Sequence, residues 1–432
     1  MQNQPDGQSL KHVADVFGMS NVILPDSYVD RGALDAAMGR LLKRRVHVAI
    51  RGASKSGKSW LRQKLIPEAL TVQCRLGYEV VDVYRDALSQ LDIKFVVEEA
   101  SKGSFKGVVE ATGTVGSELM LKIGGKLGAE LNSEESKKLI GVGKDINDIR
   151  FIAQLLMASG RRLVIEDVHY MSTESREDLA FDLKALWDYG CFVVLVGVWG
   201  DANMFIHLNT DLAGRVEELT IDWQPDDLRK IMEKGGSALG LDFSRALQNQ
   251  IIIDSFGNAG LLQRLVLRTL EEAEIEHEVH PAVVFDRQDC YTTAAMAVAD
   301  QLNGVYQRFS ERVASGIRTR NDATGIYAHT LAVIIEESSD ADHMSGIPAD
   351  HIYQKAVKRQ HRIQKSNLKA ILRKIDGLQC DEHGRGLVVT YENNDEKVLN
   401  VDRQLLFYRK YVTVKWPWEE LIAESDAAHS KG

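Results

Sequence analysis

Residues 52 to 59 read Gly52-Ala53-Ser54-Lys55-Ser56-Gly57-Lys58-Ser59, directly after the apolar run Val46-His47-Val48-Ala49-Ile50. The octet fits G-x-x-x-x-G-K-S at its four fixed positions, which chance would supply about 0.02 times in a chain of 432 residues. Gly52 and Gly57 let the backbone curl until the N–H groups around Ser54 and Ser56 point at a phosphate. Lys58 reaches the β- and γ-phosphates, and Ser59 offers a hydroxyl to Mg²⁺. The residues that follow, WLRQKLI at 60–66, predict a helix cut off by Pro67, and the positive end of that helix faces the same anion.

A nucleotide site of this kind needs a second strand that presents carboxylates. Arg161-Arg162-Leu163-Val164-Ile165-Glu166-Asp167 supplies one, with a buried apolar run and two acids at its tip. In a parallel sheet that tip lies beside the phosphate loop. Glu166 is then the metal-side carboxylate and Asp167 the group that orients an attacking water. A helical stretch at 177–187 and a third apolar strand at 191–199 follow, and then Leu212-Ala213-Gly214-Arg215-Val216. Strands alternating with helices predict an α/β fold, a parallel P-loop NTPase sheet covered on both faces.

In this order the motifs resemble those of the AAA+ ATPases, in particular the origin-recognition-like and transposition-regulator-like branches. The resemblance covers residues 15–270 and includes Tyr28-Val29-Asp30-Arg31, where the family places adenine-side contacts, so Tyr28 and Arg31 join the candidate site. It implies ATP and Mg²⁺ as ligands, a helical lid, and an arginine that reaches the γ-phosphate of a neighbouring subunit. Arg215 stands at that position, and a homo-oligomer is implied with it; the alternative for Arg215 is a surface ion pair with Glu217 or Glu218. The acid pair departs from the usual order, being Glu then Asp. Gly260 stands where many members carry a nucleotide-sensing arginine, and Arg264, one turn on, is the candidate substitute.

Residues 1–221 are thus expected to form the nucleotide-binding core, with an insertion at 101–145, and residues 222–280 the lid. Within the insertion Leu119, Leu121 and Ile123 alternate with Glu118, Met120 and Lys122, the period of a β-hairpin, with a disordered loop or a membrane-touching element as the alternatives. Residues 281–320 read as a helical connector, whose Tyr306 and Phe309 are packing residues. Residues 321–415 read as a winged helix: helices at 326–335, 349–357 and 366–375, then a hairpin with a tip at 392–396. Residues 416–432 read as a polar tail.

Net charge is −9, yet residues 351–375 hold eight Lys or Arg and no acid. Arg362, Lys365, Lys369, Arg373 and Lys374 are candidates for duplex DNA, seating the third helix in a major groove. The acids of the wing tip oppose this, and a protein-docking module is the alternative. Four scattered cysteines fit buried thiols rather than a disulfide framework or zinc site, and the histidines form no ligand cluster. No run approaches the ~18 apolar residues of a membrane span, and a cytoplasmic location is expected. Two functions follow: an oligomeric ATPase coupled to DNA or a partner protein, or an ATP-bound scaffold that hydrolyses slowly and activates a separate effector, for example in antiphage defence.

Overall fold

Strand β1 (His47–Gly52) carries the phosphate loop at its C-terminal end. It is followed by β2 (Leu70–Gln73), β3 (Ile93–Ala100), β4 (Ser104–Ala111), β5 (Leu163–Glu166), β6 (Val194–Gly197) and β7 (Val216–Ile221). In the computed structural model β2, β5, β6, β1 and β7 lie side by side in that order, every neighbouring pair parallel. Residues 10–100, 104–124, 147–200, 202–316, 325–379, 387–393 and 395–429 are described. Residues 101–103 and 125–145 of the expected insertion, the connector boundary at 317–324, Cys380 and Asn394 of the wing tip lie outside them.

The chain divides into two compact units. One is Ala33–Gly52 with Lys58–Ile221; the other comprises the N-terminal segment up to Gly32, Ala53–Gly57 and the chain from Asp222 onward. In the first, side chains alternate between two buried faces, as a sheet covered on both sides requires. Leu163, Ile165 and Leu195 pack with α3 (Val80–Ser89), α5 (Ile149–Ala158) and α6 (Thr173–Asp188), whereas Val48, Ile50, Val164 and Val194 pack with Met38 of α1 (Leu34–Leu42) and Leu61 of α2 (Lys58–Leu65). Ser172 caps α6 by accepting from the Ser175 N–H, and Asp148 caps α5 through the Phe151 N–H.

The expected hairpin exists, but upstream of the alternating run. β3 and β4 pair antiparallel from Ile93↔Ala111 to Ala100↔Ser104, and residues 118–123 lie in helix α4 (Thr114–Gly124). Gly116, Leu119, Met120 and Ile123 form its inward side, the i, i+3, i+4, i+7 spacing of a helix, while Leu121 is exposed. An apolar set that fits both periods misled the reading of the sequence.

The second unit holds the lid. Helix α7 (Met204–Leu208) and then β7 complete the first unit; α8 (Pro225–Leu239), with Pro225 at its first position and acids in its first turn, opens the lid. Gly240 ends α8 at φ +69°, and a Cβ there would lie 2.0 Å from the Val279 carbonyl. Strand β8 (Leu241–Phe243), α9 (Arg245–Asp254), α10 (Ala259–Glu272) and β9 (Val283–Phe285) complete the lid, with β8 and β9 parallel. Val13, Val16 and Phe17 are buried in its core, and Phe17 rests against Gly235 of α8. The N-terminal segment therefore packs with the lid, not with the sheet core as expected.

A 28-residue helix, α11 (Gln288–Ser315), buries Tyr306 and Phe309 and leads to α12 (Ile326–Ala332) and α13 (Asp340–Ser345). Strand β10 (Ile347–Pro348), α14 (Ala349–Arg359), α15 (Lys365–Leu372), α16 (Ile375–Gln379), β11 (Val389–Glu392) and β12 (Lys397–Asn400) follow. Three helices and a three-stranded sheet in the order β10-β12-β11 make a winged helix. Its first strand is only two residues long and escaped the sequence. The expected tail is instead helix α18 (Pro417–His429), packed on α11 and α12 after α17 (Gln404–Tyr411). Trp416 and Trp418 stack at 4.5 Å, and Trp418 is fully buried.

One carboxylate ties lid, connector and C-terminal helices together. Asp254 is fully buried at the end of α9 and accepts from Lys410 at 2.6 Å, Tyr411 at 2.6 Å, Gln250 at 2.9 Å and Tyr291. Burial works against its charge, but these donors outweigh it and hold the carboxyl below its usual range.

In the first unit His47 stitches β1 to β6 and α6. Its Nδ1 accepts from the Val193 N–H and its Nε2 donates to the Leu183 carbonyl, both at 2.9 Å. Burial pushes this imidazole down to about 4. The unfolded chain takes up a proton near pH ~6.5, whereas the folded one does not until about 4, so this contribution to stability is whole above pH ~6.5 and lost as the pH falls toward 4. His47→Gln is expected to lose less stability than wild type between about pH 7 and about pH 5, measured by urea unfolding at both.

Candidate nucleotide site

In the second unit, three consecutive loop carbonyls are tied by donors. Ser56 O accepts from Arg31 Nη1 at 2.9 Å and from the Trp223 indole at 2.9 Å; Ser54 O accepts from Asn258 Nδ2 at 3.0 Å; Lys55 O accepts from the Gly260 N–H at 3.1 Å. Two of the loop's amides are also engaged: the Ser54 N–H donates to the Val401 carbonyl and the Ser56 N–H to the Ala53 carbonyl, both at 3.3 Å, bonds that a phosphate bound by these amides would replace. Lys55 and Gly57 take positive φ, +59° and +85°, to make the curl. Ser56 Oγ is buried without a partner. The Arg31 guanidinium also lies 4.1 Å over the Trp223 ring. Tyr28 contributes its carbonyl to Lys234 Nζ at 2.8 Å.

Gly260 explains itself. A Cβ there would lie 2.9 Å from Lys55 Cβ and 3.1 Å from Lys55 O, so the first turn of α10 meets the loop backbone to backbone. No side chain fits, a sensing arginine least of all. The candidate substitute, Arg264, points elsewhere: its Nη2 donates to Gln301 of α11 at 2.5 Å. Trp223 and Asn258 were missed in the sequence, because a capping asparagine and an indole have no motif; only their distance to the loop marks them.

The first unit supplies the charged groups. Lys58 opens α2, is buried, and donates to the Gly52 carbonyl at 2.9 Å. Burial pushes its ammonium down to about 8, opposed by Asp167 and then Glu166. Asp167 follows β5 at φ +59°, and its carboxyl is raised by burial and by Glu166, with Lys58 opposing. Glu166 is buried and accepts from Arg62 Nε at 2.9 Å. His169, just beyond, is pushed down to about 3 by burial and by the Lys58 and Arg176 charges, and its neutral Nδ1 accepts from the Val198 N–H at 3.3 Å. β6 separates β1 from β5, which sets their ends about 10 Å apart, the span of a metal–phosphate group.

Among the described residues no three His, Cys, Asp or Glu cluster to hold a metal alone. Ser59 with the two acids is an all-oxygen set, which suits Mg²⁺ carried in on nucleotide phosphates.

Arg215 lies at the start of β7, where its carbonyl accepts from the His47 N–H. That is the opposite end of β1 from Gly52, about 17 Å away at ~3.3 Å per residue. Its guanidinium lies 4.8 Å over the Trp187 ring and donates to the Asp211 carbonyl. Glu217 and Glu218 pair instead with Arg44 at 2.7 Å and Arg51 at 2.9 Å.

A parallel sheet in this strand order, a phosphate loop after β1, acids after β5 and a three-helix lid on the loop decide the fold. It is a parallel α/β sheet with a phosphate loop and a helical lid, the layout that the resemblance to AAA+ ATPases implies. Among solved structures, the chain is similar to the Aeropyrum pernix ORC1 protein in complex with DNA (13% identity, 90% of this chain and 93% of that one, TM-score 0.38). It is also similar to AMPPCP-bound DnaA from Aquifex aeolicus (12%, 81% and 89%, 0.34). A third is a signal transduction ATPase with a tetratricopeptide repeat sensor from Pyrococcus horikoshii (12%, 95% and 45%, 0.36), of which this chain spans less than half. No protein-family model and no curated protein matches the chain.

The basic winged-helix surface is less bare than the sequence suggests. Arg359 pairs with Glu337 at 2.7 Å, Lys365 with Asp350 at 2.7 Å and Lys369 with Glu396 of the wing tip at 2.5 Å. The acids come from outside residues 351–375. Lys358, Arg362, Arg373 and Lys374 are exposed. Solvent screens such exposed pairs, so they hold these side chains only weakly.

A glycine-to-alanine change inside a helix ordinarily stabilises by about 1 kcal/mol. Gly260→Ala is expected to do the reverse, because the new methyl displaces Lys55. A lower thermal midpoint than wild type checks this; a higher one would mean the helix and loop are not in contact.

Proposed function

We propose that this chain binds ATP at residues 52–59, hydrolyses it slowly with Mg²⁺, and uses the nucleotide state to set its lid and winged helix for work on duplex DNA. The observation that carries the reading is the set of bonds from Arg31, Trp223, Asn258 and Gly260 to the loop carbonyls. A phosphate that reshapes the loop must alter those bonds, and Asp254 passes any lid movement to α17.

Gly52, Ser54, Ser56 and Gly57 cradle the phosphates, Lys58 neutralises them, and Ser59 with the strand-end acids serves the Mg²⁺ side. Mg²⁺ would supply charge neutralisation on the β- and γ-phosphates. Asp167 takes the proton of the attacking water as the new oxygen–phosphorus bond forms, and the bond from phosphorus to the bridging oxygen breaks with its electron pair left on ADP. Arg215, remote from its own loop, acts on the γ-phosphate of a second copy, so turnover needs a homo-oligomer.

The winged helix reads duplex DNA with α15, where Lys365, Lys369, Arg373 and Lys374 meet phosphates together with Arg362. The second reading, a slowly hydrolysing scaffold for a separate effector, is favoured by one observation: Glu166 is already engaged by Arg62. No helix among the described residues is long and apolar enough to cross a membrane.

Steady-state ATP hydrolysis, with and without duplex DNA and with Lys58→Ala as the blank, tests this. Turnover should rise with protein concentration and with DNA, and the rise with DNA should vanish in Lys369→Glu/Arg373→Glu. Binding of ATP with turnover indifferent to DNA would favour the scaffold; turnover in Lys58→Ala equal to wild type would sink both.

A further inference from the structure

Lys58 and Arg62 are four residues apart on α2 and so share a face. Both side chains are buried; Lys58 donates to the Gly52 carbonyl at the end of β1, and Arg62 reaches the end of β5. Burial acts most strongly on Lys58, and of the two acids Asp167 opposes it more than Glu166 does, whereas Arg62 takes Glu166, Nε to Oε1 at 2.9 Å. The side chains of the Arg62–Glu166 pair are only 11% and 6% exposed. A guanidinium and a carboxylate buried together are hard to separate, since either one alone keeps a charge with no water to meet it.

We propose that Arg62 is a positioning residue that holds Glu166 out of the metal-side role and leaves Asp167 to serve the nucleotide. The inference rests on the ATP reading above and revises one part of it. Glutamate is the longer of the two acids and ends the strand; untethered, it would reach the phosphate side. Arg62 folds it back onto α2. Asp167 has left the strand for the left-handed region at φ +59°, and its carboxyl is within the influence of the Lys58 charge. One carboxylate then does what two would share, and slow hydrolysis follows from that division.

The test uses the full chain and a fluorescent ATP analogue, whose affinity is measured with excess Mg²⁺ and with EDTA. Wild type should show a small ratio between the two. Arg62→Met releases Glu166 and should raise that ratio at least fivefold. Arg62→Lys, which keeps an ion pair, should stay near wild type, and Arg62→Met/Glu166→Gln should return to it. Where Arg62→Met does not fold, Arg62→Gln, which still donates a hydrogen bond but carries no charge, takes its place. Asp167→Asn should remove the Mg²⁺ dependence where Arg62 is present and leave part of it in Arg62→Met, where Glu166 is free. An unchanged ratio in Arg62→Met and Arg62→Gln, in protein with wild-type circular dichroism, overturns the inference. Wild-type protein that binds no analogue in either condition overturns the ATP reading instead.

Discussion

A tight loop exposes backbone carbonyls that must find donors, and in this protein the carbonyls of Ser54, Lys55 and Ser56 find them in the lid and the segment before it. That constraint organises the rest of the second unit. It explains why α10 begins with a capping asparagine and a glycine, since Asn258 must both cap the helix and reach Ser54 O, and since only a glycine at 260 lets the two backbones meet. It also gives Trp223 and Arg31 a reason to stack on each other while sharing one acceptor. The loop is thus part of a hydrogen-bonded body that continues, through Asp254 and α11, into the winged helix.

The parts of the fold written in local pattern were legible in the sequence. The phosphate loop announces itself because its two glycines and its lysine have no substitutes at those positions. β1 and β5 show as unbroken apolar runs because both faces of the sheet are covered. α8 shows through Pro225 and the acids of its first turn, and the helices of the winged helix show through their buried stripes. What escaped depends on partners far away in the chain. Residues 118–123 satisfy two periods at once, and only packing against α5 chooses the helix. The two-residue strand β10 exists because β12 is there to pair with it. The last helix looks polar in sequence, yet Trp416 and Trp418 anchor it to a core formed by other elements.

The same division holds for the site. Lys58, Ser59, Glu166 and Asp167 could be named from spacing, but which acid faces which cation could not, because Arg62 sits in a helix whose sequence looks ordinary. The eight cations at 351–375 showed as a basic patch; that Glu337, Asp350 and Glu396 lie against it is a property of the folded surface. Charge counted along a chain overstates the charge a partner meets.

The claim that the lid holds the loop in its binding form is tested most directly by ATP affinity in Asn258→Ala/Trp223→Phe, measured by calorimetry in protein shown to be folded. Loss of the two side-chain donors should weaken binding about tenfold or more, about 1.4 kcal/mol per factor of ten. Affinity equal to that of wild type would contradict the account, since the loop would then hold its shape without the lid.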